Sequence, residues 1–426
     1  MDQCTYRENL MPQPDQPRKP RRGLKIAMFA AITVAIAAGG VGAATAHSWL
    51  PATHADAAQS PTATPSAVPT TPAAKPVTVT VAPQDSTTFV NPAEEVTALA
   101  ENGTISIAVL KETKTGETTD GELFVSGRKW VSGAPLKFDT DYTFDVTTQD
   151  ENGNKSTTVS TFSTVPASNE ADLAMFPAAG ATVGVAQPLQ FTFSEPVTNK
   201  DAVEKAIAIT ASSGQKGAFR WYSDTLLRYR AEDFWAANTK LTVEMKLFGV
   251  DFGNGQIGNF NQTNVVQIGN RVEMVADAAK LQASIYINGA LVKQYPVTMG
   301  DERFPSASGY LVVLSDKQRH AHFVASTIGL KPGDPANYGE VDVEYATRLT
   351  PSGEFIHQAT DSAAPYLGRV NLSHGCIGMS AEGAGWVFSN MGTGDLVHVV
   401  GSPNETIAPT DGFGDWNIPF AQYAQR

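Results

Sequence analysis

The chain has 426 residues, 42% of them hydrophobic and 17% charged, and its 31 Lys and Arg against 43 Asp and Glu give a formal net charge of −12. That length exceeds one ordinary domain and predicts two to four, each burying its own core. An acidic surface excludes nucleic acid as a partner, because a phosphate backbone needs a basic face. Cys4 and Cys376 are the only cysteines and lie at opposite ends, which excludes a disulfide framework and a Cys-rich metal site; no metal and no cofactor are expected.

Residues 1–23 carry Arg18, Lys19, Arg21 and Arg22, and Lys25 follows just before an uncharged run from Ile26 to Ala46. About 21 residues at about 1.5 Å each span about 32 Å, enough for a hydrocarbon core. Residues 24–46 are therefore predicted as a transmembrane anchor, with 1–23 cytoplasmic and everything after it outside. A cleaved signal peptide ending at Ala44-Thr45-Ala46 is the rival reading, and it leads to the same export. Residues 47–76 are rich in Pro, Ala and Thr and predict a disordered, extended linker with polyproline II character.

From 77 to 165 the chain turns to short alternating runs such as VTVTV, ISIAVL and YTFDVTTQD, separated by turn signals at Asn102-Gly103, Asp120-Gly121 and Asn152-Gly153. This rhythm predicts a β-sandwich. A second sandwich is expected over 166–269, with LQFTFSEPV, LLRYR and LTVEMKL among its strands. The aromatics Trp130, Trp221, Tyr222, Phe234 and Trp235 are assigned to the two cores, and neither sandwich holds a set of residues suited to chemistry. Residues 270–402 read as β-rich with one helix, AEGAGWVFSNM. The tail, 403–426, is too short to fold alone, so Trp416, Phe420 and Tyr423 are expected to pack on a neighbouring domain.

Four of the seven histidines, His320, His322, His357 and His374, precede or adjoin Cys376. An exported thiol with no partner raises the expectation of reactivity. Sulfur nucleophiles need a base and oxyanion donors. Ser373-His374-Gly375-Cys376 stands ahead of the predicted helix, and the amides around Gly375 to Ile377 are candidate oxyanion donors. His357, nineteen positions upstream at a strand end in SGEFIHQ, is the candidate base. His374 is adjacent to the cysteine and would point the other way, which suits a shaping role.

The stretch HQATDSAAPYLGRVNLSHGCIGMS resembles the signature of the L,D-transpeptidases, whose catalytic domain is called YkuD, and EVDVEYATRLTPSGEFIH before it is similar to that family too. Its actinobacterial members share the order of membrane signal, immunoglobulin-like domains, catalytic domain and tail. The resemblance implies a mostly β chain: two immunoglobulin-like β-sandwich domains, then a β-rich YkuD-type catalytic domain with a short helix after the catalytic Cys. It further implies that Cys376 attacks the carbonyl after the third residue of a peptidoglycan tetrapeptide stem, that D-alanine leaves, and that an amine on a neighbouring stem resolves the thioester into a 3→3 cross-link. His357 matches the base, His374 the neighbour of the nucleophile, and Ser373 an orienter of an imidazole. Ser352 and Gly353 match positions lining the acyl site, and Tyr338 an aromatic lid residue. Carbapenem-type β-lactams are the expected covalent inhibitors. Two positions depart from the pattern: Gln358 replaces a common Ser or Gly, and Gly378, where Asn or Arg is common, offers substrate no side chain. The alternatives are a cysteine L,D-carboxypeptidase that resolves the same acyl-enzyme with water and a non-catalytic wall-binding protein. Papain-like and NlpC-type enzymes place Cys before His, and sortases need an Arg soon after the Cys, which IGMSAEG lacks.

Overall fold

The structure is a computed structural model that describes residues 75–425. The expected anchor or signal segment at 24–46, and all but the end of the linker, lie outside these residues. Among the described residues no helix is long and apolar enough to cross a membrane.

Two sandwiches come first, as the alternating runs imply. In residues 78–164, a four-stranded sheet (78–82, 97–101, 129–132, 121–124) faces a five-stranded one (87–90, 155–164, 141–149, 104–112, 118–119). Strand Asp141–Gln149 buries every second residue, so Tyr142, Phe144 and Val146 enter a core with Leu110 and Trp130, the period-2 consequence of the pleat. In residues 170–268, two four-stranded sheets and a three-stranded one enclose Phe191, Leu227, Trp235, Val243 and Met245. A helix at Lys200–Lys205 was not anticipated; Val203 is its one buried residue, too little apolar periodicity to read as helix.

The third region is built on one nine-stranded sheet. Its order is Gly309–Val312, Leu396–Val400, Val272–Asp277, Gln282–Ile287, Ala290–Thr298, Ile377–Met379, Phe355–Gln358, Glu340–Arg348 and Lys317–Val324. The expected helix forms at Ala381–Asn390, where Ser380 at the N-cap accepts the Gly383 N–H at 3.1 Å, removing one orphan donor of the first turn. Its Ala384 and Val387 pack into the core with Ile356, Ile377 and Met379. At the other end, Lys317 Nζ donates to Phe388 O at 2.6 Å, a cation on the negative end of the helix. The helix does not follow Cys376 directly: strand Ile377–Met379 intervenes.

The tail lies on the second sandwich. Asp415 accepts from Arg228 Nη1 at 2.7 Å, with 0% and 5% of the two side chains exposed, and from Tyr222 Oη at 2.8 Å. Arg230 stacks on Trp416 and Tyr423 with its guanidinium 4.8 and 4.4 Å from the ring centroids. Trp416 Nε1 donates to Ala186 O at 2.7 Å. Hence only Trp130 and Trp235 of the five aromatics assigned to the cores are fully buried. Phe234 stacks on Trp416 instead, and Tyr222 reaches Asp415, so part of what reads as core is interface.

Candidate active site

His357 and Cys376 are brought together by strand register. The strand Phe355–Gln358 pairs in parallel with Ile377–Met379, matching Ile356 to Ile377, His357 to Gly378 and Gln358 to Met379. Ile356, Ile377 and Met379 face the core. Alternation then puts Phe355, His357, Gly378 and, one step before the strand, Cys376 on the opposite face. The connecting segment is tied to the neighbouring strand: Thr298 Oγ1 donates to Val370 O at 3.0 Å, Asn371 Oδ1 accepts from Met299 N at 2.8 Å, and Ser373 N donates to Met299 O at 3.0 Å.

The turn Ser373–Cys376 needs its glycine. Gly375 has φ +120°, so any other residue would be strained there even though a Cβ would meet Glu354 Oε1 at an ordinary 3.4 Å. Ser306 Oγ donates to Gly375 O at 2.6 Å. Ser373, expected to orient an imidazole, does something else: its hydroxyl donates to Cys376 O at 2.6 Å and accepts the Gly375 N–H at 3.3 Å. It closes the turn because Ser373 and Cys376 are the two ends of a tight loop.

The imidazole of His357 is oriented by backbone. Its Nδ1–H donates to Gln358 O at 2.7 Å, which leaves Nε2 with the lone pair. Phe323 meets the ring edge-on at 5.5 Å. Burial holds this buried histidine below its ordinary value, because charging it in an apolar setting is costly. Cys376 is half-buried and packs against Ala321, Val343, Ala346 and Phe355. Burial pushes its thiol up to about 12; the Phe355 backbone hydrogen bond and the charge of Arg348 oppose the rise, and the Glu354 carboxyl adds to it. The Sγ–H points at Gly353 O, 3.7 Å away.

His374 faces away from the base. Its Nε2–H donates to Ala336 O at 2.8 Å, and its ring lies between Phe304 and Tyr338, at 4.8 and 5.1 Å. Tyr338 is half-buried beside the sulfur, its phenol pushed up by burial and by Cys376. Gly353 lines the site through its carbonyl. Ser352 is turned outward, its hydroxyl donating to Asp411 Oδ2 at 2.6 Å. Gln358 reaches His357 by its backbone oxygen. Gly378 is buried between Thr298 and His357, where a Cβ would stand 2.8 Å from Thr298 Cγ2. His320 and His322 are not part of the site; they are exposed on an outer strand and pair with Glu344 and Asp342 at 2.7 and 2.8 Å. Among the described residues no group of three or more His, Cys, Asp or Glu could hold a metal ion.

Glu354, Phe355 and Ser306 were missed in the sequence. A Glu before a run of Phe and Ile reads as a solvated strand residue, whereas here its carboxyl is turned inward behind Gly375, accepting the Ala307 N–H at 2.7 Å.

Residues 87–251 match the family described as bacterial Ig domain, and residues 271–399 match the L,D-transpeptidase catalytic domain, YkuD. The fold and the site thus define a bacterial protein in which immunoglobulin-like modules precede an L,D-transpeptidase catalytic domain. L,D-transpeptidase 2 of Mycobacterium tuberculosis (strain CDC 1551 / Oshkosh) is 34% identical over 331 residues, 77% of this chain and 79% of that protein. L,D-transpeptidase 5 of M. tuberculosis (strain ATCC 25618 / H37Rv) is 26% identical over 347 residues, covering 80% and 74% of the two chains. Among solved structures, LD transpeptidase LdtMt1 in complex with imipenem is 29% identical over 54% of this chain and 98% of that one, with a TM-score of 0.47. The chain belongs to the L,D-transpeptidase family.

Proposed function

We propose that this enzyme cross-links peptidoglycan stem peptides through a thioester on Cys376. The observation that carries the reading is the shared strand face that bears Cys376 beside a buried His357 whose Nδ1 is fixed on Gln358 O and whose Nε2 is a free acceptor. With the thiol held up to about 12, the sulfur is protonated at neutral pH. His357 therefore acts as a general base at the moment of attack and not as one half of a resting ion pair. The Sγ–H leaves Gly353 O, its proton passes to His357 Nε2, and the C–S bond forms at the carbonyl after the third stem residue. The resulting oxyanion is held by the backbone N–H of Cys376, Gly375 N being engaged by Ser373 and Ile377 N lying in the strand ladder. Collapse breaks the C–N bond, and D-alanine takes the proton from the imidazolium. An amine of a neighbouring stem then attacks the thioester, giving the 3→3 amide and restoring the thiol. His374 and Tyr338 shape the mouth, and Gly353 borders the acyl pocket through its carbonyl. A carbapenem enters as an acyl donor whose product stays on Cys376.

The uncharged run from Ile26 to Ala46 supports export with a single-pass anchor at the cell membrane, and the linker and two sandwiches would carry the catalytic domain into the wall. The test is incubation of the purified protein with disaccharide-tetrapeptide muropeptides, read by liquid chromatography and mass spectrometry. Dimers joined 3→3 with free D-alanine are expected. Tripeptide monomers alone would establish the carboxypeptidase reading, and unchanged substrate would overturn both.

A further inference from the structure

The proposed reaction uses the sulfur, the imidazole and the turn, yet one half-buried titratable group beside that turn has no part in it. Glu354 Oε1 accepts the Ala307 N–H at 2.7 Å. Its Oε1 and Cγ lie 3.4 and 3.7 Å from where a Cβ on Gly375 would stand, so the carboxyl faces the bare side of the glycine at a distance a Cβ would span in ordinary van der Waals contact. Ser306, next to Ala307, holds Gly375 O from the same side at 2.6 Å. The two residues flanking Glu354 hold the sulfur itself: Gly353 O receives the Sγ–H, and the Phe355 backbone bonds to Sγ.

We infer that Glu354 is a positioning residue that braces the Gly375–Cys376 turn against Ala307 and ties the acidity of the sulfur to its own state of ionisation. This rests on the reading of Cys376 as nucleophile. The charged and titratable groups around the carboxyl leave it uncompensated. The turn brings Cys376 and His374, and the tail brings Asp411, whose charge opposes ionisation. The loop Phe304-Pro305-Ser306-Ala307-Ser308 brings no charge. Arg348, whose charge acts on the sulfur, is committed to Asp316 at 2.8 Å and stacks on Phe355. Burial accordingly pushes Glu354 up to about 7. Below that pH a neutral acid sits behind the sulfur; above it a carboxylate opposes thiolate formation by simple Coulomb repulsion.

The test compares wild type with Glu354→Gln, which keeps the acceptor for Ala307 N but cannot ionise, and Glu354→Ala, which keeps neither. Two rates are followed from pH 5 to 10 on the full chain: iodoacetamide alkylation read on the Cys376 peptide, so that Cys4 does not interfere, and acylation by a carbapenem. Glu354→Gln should alkylate about three- to tenfold faster than wild type above pH 8 and match it below pH 6. Glu354→Ala should be acylated about tenfold more slowly at every pH, with Gln rescuing the rate, which a purely steric role would not link to pH. Superimposable profiles for wild type and Glu354→Gln would overturn the inference while leaving the function intact. No carbapenem adduct on wild type, with the alkylation difference present, would instead overturn the proposed function.

Discussion

Two parts of this molecule bury ionisable groups, and they treat them in opposite ways. Where the tail meets the second sandwich, Asp415 and Arg228 are almost wholly enclosed and satisfy each other at 2.7 Å, with Tyr222 adding a second donor. In the site, His357 is buried and Cys376 and Glu354 are half-buried, no ion pair holds any of the three, and burial pushes each toward its neutral form. A paired buried charge fixes a geometry. Unpaired, neutralised groups keep a proton in hand that a substrate can set moving.

The sharpest break in this contrast is His357→Ala, which should lower carbapenem acylation of Cys376 by roughly 10²- to 10⁴-fold in a stopped time course followed by mass spectrometry. In the wild type the low-pH limb of that rate should fall below 6.5, because His357 is depressed from that value by burial. The same shift makes neutral His357 a source of stability that is present above 6.5 and lost as pH falls through its lower folded value.

Next in size is the clasp. Asp415→Ala leaves Arg228 buried without its partner and should destabilise the fold by about 3–5 kcal/mol in urea unfolding. The double variant Asp415→Leu with Arg228→Met should recover most of that loss, since an apolar pair of similar volume leaves no charge unpaired. Alkylation of Cys376 in the absence of urea should be unchanged in both, which keeps the two regions distinct.

Asp395 tests the rule in a third place. It is pushed up from 3.8 to about 7 by burial, with the Gly392 N–H and Lys317 opposing. A carboxyl raised in the folded state contributes stability at low pH that is lost as pH rises from 3.8 through 7. Asp395→Asn, which can still accept from Gly392 N, should therefore be more stable than wild type at pH 8 by up to about 4 kcal/mol and equal to it below pH 4. Ser373→Ala is the smallest change: removing the hydroxyl that closes the turn should cost about 1 kcal/mol and slow acylation a few-fold, with the pH profile unmoved.

How much of this was legible in the sequence depended on whether the information was local. The sandwiches show in alternation along runs such as YTFDVTTQD, and the helix after the cysteine shows in AEGAGWVFSNM, because each pattern reports its own buried face. His357 and Cys376 show as residue types suited to each other, and the resemblance to the L,D-transpeptidases is borne out by the relatives. What stayed hidden depends on register and on partners far along the chain. Ser373 looked like an imidazole partner until the turn placed its hydroxyl on Cys376 O. Gly378 read only as a departure from the family pattern, and its place between Thr298 and His357 appears with the strand pairing. Glu354 looked solvated, since nothing nearby in sequence announces the Ala307 N–H that draws it in. Tyr222 and Phe234 looked like core because a tail about 190 residues away covers them.

The most direct measurement is the intact mass of the protein after exposure to a carbapenem, with the modified peptide sequenced. The account predicts one covalent adduct, on Cys376, absent in Cys376→Ala and slow to form in His357→Ala. An adduct elsewhere, or one that forms as fast without His357, would contradict it.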